Sequence, residues 1–185
     1  MMAGMADPLT LGVVGATALT EGVKFLYEQA SELLARWRER HETELEPVEI
    51  EAPPGLLAGG VGRARIDESA LTLLESDIRD LHTFLAPYAA ADQPVSRLDD
   101  KVVAMADALR RSLEAVYGRR ITFAGEPRPP SGPVVTGEIK AAEISGYVAG
   151  VRARVVKSGD VRGSVVTDQV APGASAFGVD VDSIG

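Results

Sequence analysis

Small and apolar residues recur at Leu9, Gly12, Ala16, Leu19, Val23, Leu26, Ala30, Leu33 and Trp37, in steps of three and four. Those steps place them on one face of a helix, so the spacing predicts one long helix over residues 8–37. Val13, Tyr27 and Leu34 widen the stripe. Asp7 and Pro8 supply a start, because Asp caps free N–H groups and Pro at the first helical position loses no needed donor. The first turns, from Leu9 to Thr20, carry no charge. After Trp37 the chain becomes charged up to Glu46, which reads as a solvated extension ended by Pro47. A second stripe, Leu71, Leu74, Ile78, Leu81, Leu85 and Tyr88, starts near Asp67 and ends or kinks at Pro87. A third, Leu98, Val102, Met105, Leu109, Leu113 and Val116, opens at Ser96 with Asp99 three residues on, and Gly118 stops it.

The segments between and behind these stripes have a different texture. Val48 and Ile50 alternate with Glu49 and Glu51, the mark of a short extended piece. Pro53-Pro54-Gly55 and the glycines from Gly59 to Gly62 then read as a flexible connector; no Lys-Ser/Thr follows to make a phosphate loop. Ile121-Thr122-Phe123 is another short extended piece, and residues 125–133 have the composition of a linker. From Val134 onward helix periodicity stops and apolar residues alternate with polar ones. Ser145-Gly-Tyr-Val-Ala-Gly150 and Ser158-Gly-Asp-Val-Arg-Gly163 share the pattern Ser-Gly-x-Val-x-Gly at an offset of 13 residues, with a looser echo over 173–178. Short strands separated by glycine turns fit stacked β-arcs or a meander, and such units need neighbours to bury their faces. The expectation is an α+β chain. An antiparallel bundle of three helices, or four if the first breaks near Gly22, occupies 1–120. A Pro/Gly-rich linker follows at 121–133, and a β-rich Gly/Val region of short strands at 134–185.

Composition narrows the function classes. The 185 residues are 45% apolar but only 5% aromatic, so a folded core must come from Leu, Val, Ile and Ala. The absence of cysteine excludes disulfides and thiolate metal sites. A net charge of −8 argues against nucleic acid as a partner, since binding it needs a basic footprint. The arginines Arg110, Arg111, Arg119 and Arg120 are explained by the helix C-terminus. The uncharged run before Thr20 is shorter than the roughly 20 residues a membrane span takes, and the N-terminus lacks a secretory pattern. Two histidines, His41 and His82, stand alone without companions at ligand spacing, and Asp180 and Asp182 read as outward strand residues. No nucleophile elbow or acid–base pair stands out. No catalytic, cofactor or metal residue is therefore assigned, and the chain is read as no enzyme.

Two features together carry a resemblance. The opening MADPLTLGVVGATALTEG is short on charge and rich in Gly, Ala and Thr, and a Gly/Val repeat tail follows a Pro-rich linker. This layout resembles the bacterial Bell domains, helical domains analogous to the fungal HeLo cell-death domains, over about residues 5–120, with the tail's share at Ile144 to Val170. The resemblance implies that a C-terminal amyloid-type motif nucleates assembly and that the freed first helix attacks membranes. The expected function is thus a non-enzymatic interaction or effector protein of the bacterial conflict type. It would be cytoplasmic, reaching a membrane on activation, with itself, a protein or membrane lipid as partner. Leu9, Val13, Ala16, Leu19 and Val23 would make the membrane or partner contact. Gly146, Val148, Gly150, Gly159, Val161 and Gly163 would carry assembly, the glycines setting turns. The alternative is a soluble adaptor whose β-tail is docked as a protein-binding module.

Overall fold

A computed structural model describes residues 10–40, 45–90, 99–156 and 160–184. It divides into two compact units, Met1–Ser131 and Gly132–Gly185.

The first unit holds three α-helices among the described residues. A 3-10 turn, Thr10–Val13, precedes α1 (Ala16–Glu39). Then come a short antiparallel pair, β1 (Val48–Ile50) and β2 (Gly62–Ala64), α2 (Glu68–Ala90), α3 (Asp100–Tyr117) and the two-residue β3 (Arg119–Arg120). The long first helix therefore begins later than its stripe suggests, at Ala16. Gly15 occupies its N-cap with extended backbone and no side-chain cap. Of the charged extension, Arg38 and Glu39 lie in α1 and Arg40 is its C-cap, while residues 41–44 fall outside the described residues.

The stripes face a single core. Leu19, Val23, Leu26, Ala30 and Leu33 of α1 meet Leu71, Ile78 and Leu85 of α2 and Val102, Leu109, Leu113 and Val116 of α3, all almost fully enclosed. Burying each such side chain stabilises the fold by roughly 1.5–3 kcal/mol. Local signals fix the ends. Asp67 Oδ1 accepts from Ala70 N at 3.0 Å to open α2, and Asp99 Oδ1 accepts from Val102 N at 3.1 Å to open α3. Gly118 closes α3 with φ of 58°, the left-handed C′ position. Pro87 lies inside the last turns of α2 without ending it.

The second unit consists of four long strands, β4 (Gly132–Ile144), β5 (Tyr147–Val156), β6 (Asp160–Val170) and β7 (Ser175–Ile184). β4 pairs with β6 in parallel, Val134 opposite Asp160 through Ile144 opposite Val170. β5 pairs with β7 in parallel, Tyr147 opposite Ser175 through Val156 opposite Ile184. Two strands in succession thus make one rung, and the next two make a second rung stacked on it.

Several expectations need correction. The architecture is not a bundle of three to four helices followed by short strands. No fourth helix forms at Gly22, because α1 runs unbroken through it and the Phe123 ring occupies the space a Cβ would take, at 3.0 Å. The strands run to 10–13 residues because Gly150 and Gly163 lie within them and do not turn the chain. The stretches over 53–62 and 121–131 are ordered, not connector and linker. Leu57 bridges Phe123, Ala58 N donates to Thr122 O at 2.8 Å, and Ala124 N donates to Leu56 O at 2.9 Å. Ile121, Thr122 and Phe123 are fully buried.

Candidate functional site

Two places combine geometry with chemistry: a cleft between α1 and α2, and the strand stack of the second unit.

In the cleft, Ser31, Leu34 and Arg38 of α1 face Arg79 and His82 of α2 around a cavity of about 330 Å³. The His82 ring stacks on Tyr27 with centroids 4.1 Å apart, and its Nε2 lies 2.6 Å from Ser31 Oγ. Burial lowers the His82 pKa from its ordinary 6.5, so the ring is neutral at pH 7. The Ser31 hydroxyl also lies 2.9 Å from the Tyr27 carbonyl, so its single proton serves one of two acceptors, and which atom donates in the Ser31–His82 contact follows the imidazole tautomer. Either way the contact ties α1 to α2. Arg79 is occupied by Glu75, which also accepts from Trp37 Nε1 at 2.9 Å.

The basic run also has structural partners. Arg110 is buried against Asp107 and Glu126, the latter at 2.6 Å, while Glu126 Oε2 accepts from Phe123 N at 2.7 Å. Arg119 donates to the Arg63 carbonyl. Burial pushes the Tyr117 hydroxyl well above its usual range, in keeping with a core aromatic.

The strand stack is organised by four glycines. Gly137 is registered opposite Gly163, and Gly150 falls opposite Gly178, between the registered pairs Ala149–Phe177 and Val151–Val179. The two sheets approach each other at this level. A Cβ on Gly150 would stand 2.8 Å from the Gly178 carbonyl oxygen and 3.0 Å from that of Gly137. A Cβ on Gly163 would collide with the Gly178 carbonyl, and one on Gly137 with the Gly150 carbonyl. Only hydrogen fits there.

Above and below these glycines the unit is poorly enclosed. Of its residues with described burial, only Gly132 and Ile144 are buried. The side chains that alternate inward, such as Val161 and Val165, remain half-exposed. Six of the seven exposed large apolar side chains in the described residues belong to this unit: Val135, Tyr147, Val166, Val170, Phe177 and Val179. Among the described residues β5 and β7 pair only with each other, and β6 pairs only with β4.

The residues expected to act are distributed unevenly. Leu9 lies outside the described residues, and Val13 belongs to the 3-10 turn without a described side chain. Ala16 is exposed at the start of α1, whereas Leu19 and Val23 are core residues of the folded unit. In the tail, Gly146 sits in the turn between β4 and β5, and Val148 and Val161 are half-buried on their strands. Gly159 lies outside the described residues. Gly150 and Gly163 belong to the close-approach column together with Gly178, which closes the looser echo over 173–178, and Gly137, which the repeat pattern left out. Their signal in the sequence is a glycine every 13 residues, at 137, 150 and 163.

Comparison with protein-family models, with curated proteins and with solved structures finds no match. No helix among the described residues is long and apolar enough to cross a membrane.

Proposed function

We propose that this chain is a non-enzymatic self-assembling protein, in which the C-terminal strand stack joins copies and the helical unit is the part delivered or activated by that assembly. The observation that carries this reading is the incomplete enclosure of the stack. Inward side chains such as Val161 and Val165 stay only partly buried, while the strands already run parallel and in register, and among the described residues β6 pairs only with β4 and β5 and β7 pair only with each other. Two rungs cannot bury their own faces; a third and a fourth, supplied by another copy, would cover them and satisfy the edge N–H and C=O groups. The resemblance to Bell-type effector domains agrees with this layout and adds a membrane step for the first helix. That step has a cost. Leu11, Val14, Leu19 and Val23 would have to leave the core, at roughly 1.5–3 kcal/mol each, so assembly would have to drive it.

The experiment is sedimentation of the full chain and of residues 1–131, with leakage of anionic liposomes recorded on the same samples. The expected result is large, concentration-dependent species for the full chain and a monomer for the truncation. Leakage should appear only with the assembled form and vanish when residues 1–20 are deleted. A full chain that stays monomeric at all concentrations defeats the reading; leakage unchanged by the deletion defeats its membrane step.

A further inference from the structure

The two strands of the β5–β7 sheet carry opposite charge. β5, YVAGVRARVV, has Arg152 and Arg154 as its only charged residues; β7, SAFGVDVDSI, has Asp180 and Asp182. Within one chain they form a ladder. Arg152 is registered opposite Asp180, its Nε 3.6 Å from Asp180 Oδ2. Arg154 falls opposite Asp182, between the registered pairs Ala153–Val181 and Val155–Ser183. Tyr147 joins the cluster by donating its hydroxyl to Asp180, and the Arg152 guanidinium lies 5.3 Å from the Tyr147 ring centre. β5 therefore presents a positive outer edge and β7 a negative one.

Resting on the assembly reading, we infer that the occupant of the β7 edge is the β5 strand of a second copy of this chain, so that copies stack head to tail in one direction. In that arrangement Arg152 and Arg154 of the incoming copy lie beside Asp180 and Asp182, and every aspartate acquires an arginine on both sides. The arginine–aspartate alternation then continues without interruption, with one copy per about 9.6 Å of stack, two strand spacings. Joining two copies through like edges would bring four aspartates together at a β7–β7 junction, or four arginines at a β5–β5 junction. Like charges opposed across strands are destabilising, and opposite ones stabilise the pair. The β4–β6 register inside the chain likewise opposes no like charges: Glu138 lies opposite Ser164, Lys140 opposite Val166 and Thr136 opposite Arg162.

The test is a full charge swap, R152D/R154D/D180R/D182R, which restores the ladder inside each chain with reversed polarity. Native and swapped chains carry different fluorophores, and energy transfer on co-assembly is measured. Head-to-tail stacking makes the two chains sort, because a native β7 then meets a swapped β5 as aspartate against aspartate. Transfer between unlike chains is expected about tenfold below that between like chains. Mixed transfer equal to self transfer, or above it as β7–β7 junctions would give, overturns the inference while leaving assembly itself intact. The two-position swap R152D/D180R carries the same comparison if the fourfold variant stays monomeric. Failure of both swapped chains to assemble where the native chain does also overturns it. A native chain that never assembles removes the reading on which it rests.

Discussion

Arg110 shows how much of the helical unit depends on one side chain. Its guanidinium is buried between Asp107 and Glu126, and Glu126 in turn holds the Phe123 amide, so the turn after α3 is fastened to the helix through an ion pair. Taking one partner from a buried pair leaves charge without compensation in a poor dielectric, a loss of about 3–5 kcal/mol. Arg110→Met should lower the helical unfolding free energy by that amount in urea titrations followed by circular dichroism. A loss under about 1 kcal/mol would contradict the assignment, since that is the scale of a surface pair. His82 gives the second residue-scale expectation. Its folded pKa lies below the ordinary 6.5, so the unfolded chain takes up the proton first. Its contribution is complete above pH 6.5 and is lost as pH falls below that value through the folded pKa. His82→Gln should flatten this slope on the acid side of neutrality; an unchanged slope would mean that other groups set it.

At the scale of elements, the decisive distinction is between glycines that turn the chain and glycines that let two sheets meet. Gly146 has open space where a Cβ would sit, whereas Gly163 has the Gly178 carbonyl. Gly146→Ala should leave stability and assembly unchanged within about 0.5 kcal/mol. Gly163→Val should abolish the stack, although valine is the better strand former by propensity. Strand signal in circular dichroism and sedimentation check both, and a Gly163→Val chain that still assembles would show that the sheets do not close on this column. The same distinction explains what could be read from the residues alone. The 3-4 stripes located three helices, and Asp67 and Gly118 marked two of their ends, because those signals are local; the third helix has its cap at Asp99, where the capping-box pattern pointed to Ser96. The length and pairing of the tail strands were not legible. The Ser-Gly repeat drew attention to the turn glycine at 146, while the function of Gly150 and Gly163 exists only once Gly137 and Gly178 come beside them. In the same way 121–131 looked like a linker by its prolines. What orders it is Phe123 against Gly22 and Glu126 against Arg110, contacts that span 101 and 16 residues of sequence.

For the whole molecule, the two units differ in what completes them. The helical unit encloses its own core, with α1, α2 and α3 contributing side chains of almost no exposure. The strand stack does not, and its candidate surface became visible only from the pairing: β5 beside β7 set the Arg and Asp pairs in register, which no periodicity announced. If copies complete the stack, its backbone amides should be the part of the molecule whose protection depends on concentration. Amide hydrogen exchange on the full chain, from dilute to concentrated solution, tests this most directly. The account expects the amides of 160–170 and 175–184 that face away from β4 and β5 to exchange freely when dilute and to become protected as concentration rises, while the amides of α1 and α3 hold constant protection. Equal protection of those strands at every concentration would contradict it.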